Sequence, residues 1–339
     1  MNNPSDIHAA AGSAAPSATA ARADGASIPL IDIDGLRGAD PVRYDQVTAA
    51  LRAACEDRGF FYIVNHGVSP TLIARMFEAT EAFFNQPVDA KAALDKKFSK
   101  CNRGYEPLKA QTLETGAPPD LKESFYIGEE VAADDPKVLA GRFNTGPNQW
   151  PPALPGFRET MEEYFAVASE LGAVIVRGLA HSLSLPAGYF DPYLQDASAT
   201  LRLLHYPPQP PNPSPGEKGC GEHTDFGGVT LLLQDDSGGL QVWDALQQGW
   251  IDAPPIPQTY VVNLGDLFAR WTNGRYHSTL HRVINVSGHE RHSIPFFFTG
   301  NPLHRVECLP TCLAPGEMPR FGPITVEEHL RDCYRRTYG

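Results

Sequence analysis

Apolar residues recur every three or four positions in several stretches of the chain, which is the pattern of a helix with one buried face. The stretch between Arg43 and Arg58 is the first of these, and Gly59 directly after it is a stop signal. The helices predicted in the first half of the chain span residues 43–58, 70–85 and 157–183. The last of them is long enough to support a sheet.

Runs of apolar residues that are β-branched or aromatic predict strands at 28–33 and 60–64. From Ala199 onward such runs alternate with Gly, Pro and Asp, which predicts a β-rich core closed by a last helix over 325–335. The strands predicted there span residues 201–206, 229–234, 239–244, 250–253, 260–264, 279–286 and 294–299. Short strands at such regular spacing are typical of a barrel or a two-sheet jelly roll and argue against a parallel α/β sheet.

Local composition predicts how the chain is organised. Residues 1–27 are dominated by Ala, Ser and Gly and are expected to form a disordered tail; a transit peptide is the alternative, against which Asp6 and Asp24 count. Residues 28–150 are expected to form an N-terminal α/β part. The Gly- and Pro-rich stretch 98–155 predicts loops that cover a site. Residues 151–339 are expected to supply a support helix and a jelly-roll core, within the same structural unit.

The overall composition narrows the class of protein and of partner. Hydrophobic residues make up 42% of the chain and charged residues 20%, which is ordinary for a globular protein. A formal charge of -12 disfavours binding to nucleic acid, because phosphate backbones require clustered Lys and Arg. The apolar runs fall short of the roughly twenty residues that span a bilayer, and the six cysteines include no C-x-x-C pair. The sequence therefore predicts a soluble, cytoplasmic protein whose partner is a small molecule.

The most informative cluster is His223-Thr224-Asp225. In an extended segment residues two apart face the same side, so this imidazole and this carboxylate can converge on one point. His281 lies in another predicted strand that can fold back beside the first. Two His and one carboxylate on one face of an octahedron leave three positions open, which suits an Fe(II) centre that holds an oxidant and a co-substrate together. A zinc site with an activated water uses the same residue types and is the alternative.

A second cluster, Arg291-His292-Ser293, follows ten residues after His281. Arg291 and Ser293 project to one side of a strand. A guanidinium group binds a carboxylate through two charge-assisted hydrogen bonds, and a neighbouring hydroxyl adds a third. The pair therefore predicts an anchor for a dicarboxylate beside the metal, which a zinc hydrolase does not need.

With these clusters in place, the chain resembles the isopenicillin N synthase-like 2-oxoglutarate and Fe(II)-dependent dioxygenases over about residues 28–335. The motifs that carry the resemblance are Ile28–Asp32, Gly59–Val68, Arg103–Tyr105, Lys122–Phe125, Tyr206–Pro208, His223–Asp225, Asn263–Asp266, Ser278–Val283 and Arg291–Ser293. The resemblance implies a mixed fold with a mainly β core, a double-stranded β-helix or jelly roll with supporting α-helices.

The resemblance also assigns roles to residues. It implies that His223, Asp225 and His281 bind Fe(II), and that Arg291 and Ser293 bind the distal carboxylate of the co-substrate 2-oxoglutarate. Tyr206 matches a tyrosine that commonly helps to hold this carboxylate. O2 is the oxidant, and ascorbate is an optional reductant. Many relatives carry Asn near the co-substrate at the position of Leu204, so this chain departs from the family where the co-substrate is oriented.

The reaction expected from the resemblance is oxidation, most commonly hydroxylation, of a small-molecule metabolite with release of succinate and CO2. Family variants that form ethylene and succinate, or that cyclise or oxidise without 2-oxoglutarate, are the enzymatic alternatives. A catalytically idle metal- or ligand-binding relative is the alternative outside enzymes. Asn263 and Asp266 are interpreted as turn-formers at least as much as functional residues. Substrate specificity is expected to come from residues 98–150 and the C-terminal segment.

Overall fold

A computed structural model describes residues 28–114 and 116–338. The helices are α1 (Pro41–Asp57), α2 (Pro70–Phe84), α3 (Val88–Ala92), α4 (Pro136–Leu139), α5 (Phe157–Ser182), α6 (Asp191–Leu194), α7 (Asp266–Trp271) and α8 (Val326–Tyr338), with 3-10 turns at Asp34–Leu36, Lys96–Phe98 and Pro310–Cys312. In this part of the chain no helix combines the length and the apolar character needed to cross a bilayer. The tail predicted over residues 1–27 lies outside the described residues.

Fourteen strands form a large sheet, a small sheet and a two-stranded ribbon among the described residues. The strands are β1 (Leu30–Asp32), β2 (Phe60–Val64), β3 (Gly104–Glu106), β4 (Glu123–Gly128), β5 (Ser198–Tyr206), β6 (Cys220–His223), β7 (Val229–Gln234), β8 (Leu240–Asp244), β9 (Gly249–Asp252), β10 (Tyr260–Leu264), β11 (His281–Val283), β12 (Arg291–Gly300), β13 (Arg305–Val306) and β14 (Ile324–Thr325). The large sheet has the order β1-β2-β10-β7-β12-β5-β4-β3, and the small sheet has the order β6-β11-β8-β9. This is the predicted jelly roll with supporting helices.

The two faces of the large sheet bury different residues. One face packs against α1, α2 and α5 around an extensive apolar core that includes Met76, Leu171 and Phe296. The other face contributes to a smaller apolar cluster that also contains Cys220 and Val242 of the small sheet. Because apolar residues cover only part of this second face, polar side chains occupy the remaining space between the sheets.

Most helices and strands follow the hydrophobic pattern, but β6 and α7 were not predicted and the strand predicted over 279–286 is only three residues long. The prediction that 98–155 forms only loops is wrong, since β3, β4 and α4 lie within it. In β4, Glu123 and Ser124 are buried together with Phe125 and Ile127. The strand escapes a hydrophobic-pattern search because its polar residues are buried among polar partners.

Candidate metal centre and adjoining cavities

Two histidines face each other across the small sheet. His223 ends β6 and His281 begins β11, and the two are direct partners in the antiparallel pairing, with ring centroids 4.2 Å apart. Asp225 follows two residues after His223. Its Oδ1 lies 3.9 Å from Nε2 of His223 and 3.8 Å from Nε2 of His281. The structure thus brings the three predicted ligands together at one point.

Backbone carbonyl groups fix the orientation of both imidazoles. Nδ1 of His223 donates to the carbonyl oxygen of Gly221 at 2.8 Å, and Nδ1 of His281 donates to that of Thr279 at 3.1 Å. A hydrogen bond at Nδ1 leaves the lone pair on Nε2, the atom that faces Asp225. The two rings are therefore arranged as ligands.

The carboxylate of Asp225 is held in a similar way. Its Oδ2 accepts hydrogen bonds from Oγ1 of Thr230 at 2.6 Å and from Nδ2 of Asn263 at 2.7 Å, so Oδ1 remains for a metal. Asn263 lies within β10 and contacts a candidate ligand. Its interpretation as a turn-former is therefore wrong. Asp266 begins α7, and its Oδ1 accepts from the hydroxyl of Ser278.

Burial sets the protonation states at this point. It lowers the pKa of His281 to about 4 and is also the main reason that the pKa of His223 is lowered. Burial by itself raises the pKa of Asp225, but the two imidazoles and the two hydrogen bonds to Oδ2 outweigh it, and the pKa lies below its usual value. At neutral pH two neutral imidazoles and one carboxylate are present, which are the forms that bind a divalent metal.

A second group of potential ligands, Asp266, His329 and Cys333, lies among the described residues. Here Nε2 of His329 donates to the carbonyl oxygen of Phe226 at 3.0 Å, and Nη2 of Arg336 donates to Sγ of Cys333 at 3.2 Å. Both ligand atoms are engaged, and a cation lies beside the thiol. The group instead anchors α8 to the segment that follows Asp225.

A cavity between the two sheets extends from the histidines to Arg291 and Ser293 of β12. Arg291 pairs directly with Tyr206 on the neighbouring strand β5, and Ser293 pairs with Leu204. Residues two apart on a strand share a face, so all four side chains lie on the cavity side of the large sheet. The predicted anchor residues Arg291, Ser293 and Tyr206 thus lie together on this face, and Leu204 lies beside Ser293.

Arg291 is 0% exposed, and its charge has no partner of opposite sign in the part of the chain that the structure describes. Its Nε donates to the carbonyl oxygen of Gly238 at 2.6 Å and its Nη2 to Oε1 of Gln234 at 3.3 Å, whereas Nη1 is buried without a hydrogen bond. Among the described residues no carboxylate lies within 4.0 Å of it. A buried, uncompensated guanidinium is strongly unfavourable unless an anion binds to it.

A second cavity adjoins the first at His223 and Asp225. Its walls come from the β core, from the stretch 98–155 and from α8. They combine aromatic and apolar side chains with amides and hydroxyls: Gln111, Leu113, Tyr126, Asn144, Thr200, Phe226, Phe297, Thr299, Leu330 and Tyr334. Arg202 also lines this cavity, and its Nη2 donates to Oε2 of Glu106 at 2.8 Å. Although burial raises the pKa of Glu106, Arg202 and Lys96 lower it to about 2, so Glu106 compensates a cation.

Family models match both halves of the chain. Residues 28–153 match the N-terminal region described as that of non-haem dioxygenases in morphine synthesis, and residues 197–300 match the 2OG-Fe(II) oxygenase superfamily. A 2-oxoglutarate-Fe(II) type oxidoreductase of Emericella nidulans is 47% identical over 92% of this chain and 90% of its own length. The chain belongs to the 2-oxoglutarate and Fe(II)-dependent oxygenase family.

Solved structures of relatives agree with this assignment. A full-length Neurospora crassa enzyme in complex with alpha-KG superimposes with a TM-score of 0.83 at 31% identity, covering 95% of this chain and 99% of the other. A rice dioxygenase for auxin oxidation gives a TM-score of 0.73 at 28% identity, covering 91% and 96%. The protein is a non-haem oxidoreductase whose cofactors are Fe(II) and 2-oxoglutarate, with O2 as the oxidant.

Sequence reasoning did not predict the positions that three residues take near these cavities. Thr230 and Asn263 lie on neighbouring strands and bind the same oxygen of Asp225. Lys122 stands within a motif of the family resemblance, but its side chain also lines the cavity of Arg291. Asn263 reaches Asp225 through strand pairing over a long distance in sequence, which a local pattern does not encode.

Proposed function

We propose that His223, Asp225 and His281 hold the Fe(II) of this oxygenase. Support comes from the convergence of two Nε2 atoms and one Oδ1 within 4.8 Å of one another, and from the hydrogen bonds that orient each group. The donor set fits a non-haem Fe(II) centre, since two imidazoles and one carboxylate leave coordination positions for 2-oxoglutarate and O2.

Arg291, Ser293 and Tyr206 bind the distal carboxylate of 2-oxoglutarate in this proposal. The observation that carries it is the buried Nη1 of Arg291, which has no hydrogen-bond partner among the described residues and belongs to a cation without a carboxylate beside it there. A carboxylate at this position supplies both the missing acceptor and the missing charge. The Arg291 guanidinium also packs against the ring of Tyr206, at 4.7 Å from Cζ to the ring centroid, which restricts its direction.

The substrate occupies the second cavity, on the other side of His223 and Asp225. Its walls join the faces of Phe226, Phe297 and Tyr334 to the amides of Gln111 and Asn144. Glu106 pairs with Arg202 at this wall and is shared with the part-exposed Lys96. We expect a small, flat and neutral molecule with hydrogen-bonding edges. The Neurospora crassa relative, which matches with a TM-score of 0.80, has been solved with thymine, a molecule of this kind.

The reaction is hydroxylation: a C–H bond of the substrate, 2-oxoglutarate and O2 give the alcohol, succinate and CO2. Bound Fe(II) supplies the reductive activation of O2. The residues of the chain position the reactants. Arg291 fixes one end of 2-oxoglutarate, the half-buried aromatic walls limit the access of water, and Asn263 with Thr230 keeps Asp225 in a single orientation.

Substrate-stimulated succinate formation tests this function. Purified protein with Fe(II), 2-oxoglutarate and ascorbate is screened against pyrimidine bases, aromatic acids and aliphatic amino acids. We expect stimulation by a flat, neutral heterocycle, with one succinate per oxidised product. Ethylene release in the absence of substrate would instead identify the ethylene-forming variant, and oxidation without any 2-oxo acid would identify the 2-oxoglutarate-independent type.

Replacing Asn263 by Ala should weaken Fe(II) binding about 10- to 100-fold, because the carboxylate of Asp225 loses one of the two partners that orient it. Titration of the apoprotein with Fe(II) under anaerobic conditions measures the effect. Asn301→Ala is the matched control, since Nδ2 of Asn301 donates only to the carbonyl of Pro192, outside the cavities. Equal metal affinity in both variants would show that Asn263 does not orient Asp225 for metal binding.

Replacing Tyr334 by Ala should raise the substrate Michaelis constant by roughly ten- to a hundredfold, because an aromatic wall of the cavity is lost. The Michaelis constant for 2-oxoglutarate should stay constant, since Tyr334 does not line the cavity of Arg291. Steady-state kinetics with each compound varied in turn separates the two effects. Tyr189→Ala, at a half-exposed tyrosine outside both cavities, is the control.

A further inference from the structure

Lys122 is a second buried cation in the cavity of Arg291. It stands one residue before Glu123, the first residue of β4. In the large sheet Glu123 is the partner of His205 on β5, and His205 is the partner of His292 on β12. Those three residues contact one another on the opposite face of the sheet, where Nδ1 of His205 lies 2.8 Å from Glu123 and the two imidazoles stack at 5.0 Å. The next row therefore places its side chains on the cavity face.

Extended by one residue beyond β4, the register places Lys122 opposite Tyr206, which is the direct partner of Arg291. All three residues line the same cavity. Neighbouring strands lie about 4.8 Å apart, so the backbones of Lys122 and Arg291 are separated by roughly 10 Å with Tyr206 between them. Two long cationic side chains thus flank one tyrosine in this cavity.

The hydrogen bonds of Lys122 leave part of its ammonium group for a ligand. Nζ donates to Oδ2 of Asp120 and, at 3.1 Å, to Sγ of Cys220. An ammonium has three N–H donors, and a thiol is a weak acceptor. Among the described residues Asp120 is thus its single strong acceptor. Asp120 also accepts from the backbone N–H of Gly221 at 2.9 Å, which fixes the pair to β6.

We propose that Lys122 is a second contact for the distal carboxylate of 2-oxoglutarate, on the far side of Tyr206 from Arg291. The inference rests on the proposed binding of this carboxylate by Arg291. The carboxylate of Asp120 compensates the charge of Lys122. Because Arg291 compensates the charge of the distal carboxylate, Lys122 contributes to this contact as a hydrogen-bond donor. This contact adds to co-substrate binding in a chain that has Leu204, whose side chain cannot donate a hydrogen bond, in the same cavity.

Binding titrations with two 2-oxo acids test the proposal. Protein loaded with Mn(II), which replaces Fe(II) without turnover, is titrated with 2-oxoglutarate and with 2-oxobutyrate, which lacks the distal carboxylate. Lys122→Met should weaken 2-oxoglutarate binding by roughly ten- to a hundredfold and leave 2-oxobutyrate binding unchanged. Because this variant leaves Asp120 buried without its cation, the double variant Asp120→Asn, Lys122→Met is titrated as well and should behave in the same way.

A purely structural role predicts something different. If the pair of Asp120 and Lys122 only fixes β6, the variants should lose thermal stability and bind both 2-oxo acids less well by the same factor, and the proposal fails. Arg291→Ala is titrated in parallel. If it discriminates between the two acids while Lys122→Met does not, this inference is wrong and the proposed anchor stands. If Arg291→Ala does not discriminate, the proposed function itself is contradicted.

Discussion

Replacing Asp225 by Ala should abolish turnover and weaken Fe(II) binding. The loss of affinity should be well over the roughly 10- to 100-fold expected when a residue that only orients a ligand, such as Asn263, is removed. The carboxylate is the one anionic group among the three candidate ligands, and two neutral imidazoles hold a divalent ion poorly. His223→Ala should have the same consequence. Succinate formation and anaerobic Fe(II) titration measure the two effects.

The fold should survive these substitutions. Asp225 sits in a cavity rather than in the apolar core, and its removal also relieves a buried charge when no metal is bound. Asp225→Glu should also be poor, since the added methylene displaces the oxygen from a site with narrow tolerance. Asp252→Ala, at an exposed carboxylate of β9 in the same sheet, is the control and should keep full activity. An active, iron-replete Asp225→Ala enzyme would contradict the ligand assignment.

Replacing Arg291 by Lys should raise the apparent Michaelis constant for 2-oxoglutarate by roughly ten- to several-hundredfold. A two-pronged guanidinium contact with a buried carboxylate contributes about 2–4 kcal/mol, and a lysine keeps the charge but loses the planar pair of donors. At about 1.4 kcal/mol per factor of ten, this gives the stated range. Arg291→Ala should be worse, and Ser293→Ala milder, at about 1 kcal/mol for one hydrogen bond.

Two measurements make this result specific. Fe(II) affinity without co-substrate should barely change in Arg291→Lys, because the guanidinium contacts Gly238 and Gln234 and no metal ligand. Arg305→Lys, at an exposed arginine of β13, is the matched control and should leave the 2-oxoglutarate dependence unaltered. Unchanged 2-oxoglutarate dependence in Arg291→Ala would remove the anchor from the account.

Most of the regular structure was predictable because the chain buries one face of each element. The strands β2, β7 and β10 have the predicted bounds, and α5 ends within one residue of its prediction. The errors lie where polar groups are buried. A run such as Glu123-Ser124 is typical of a loop by its polarity, but in β4 its partners are other buried polar groups such as Lys91 and Arg202.

The site divides in a similar way. The motifs His223-Thr224-Asp225 and Arg291-His292-Ser293 identify themselves by residue type and spacing. Their environment does not, because Asn263 beside Asp225 and the neighbours of Arg291 come from distant parts of the sequence. The register that pairs His223 with His281 joins two strands that are far apart in the sequence, and no local pattern records it.

Crystals grown anaerobically with Fe(II) and 2-oxoglutarate allow the most direct test, namely anomalous diffraction at the iron edge. The account predicts one strong peak at bonding distance from Nε2 of His223, Nε2 of His281 and Oδ1 of Asp225, with 2-oxoglutarate extending from the iron to the guanidinium of Arg291. An iron peak at Asp266, His329 and Cys333 instead, or a co-substrate whose distal carboxylate lies away from Arg291, would contradict it.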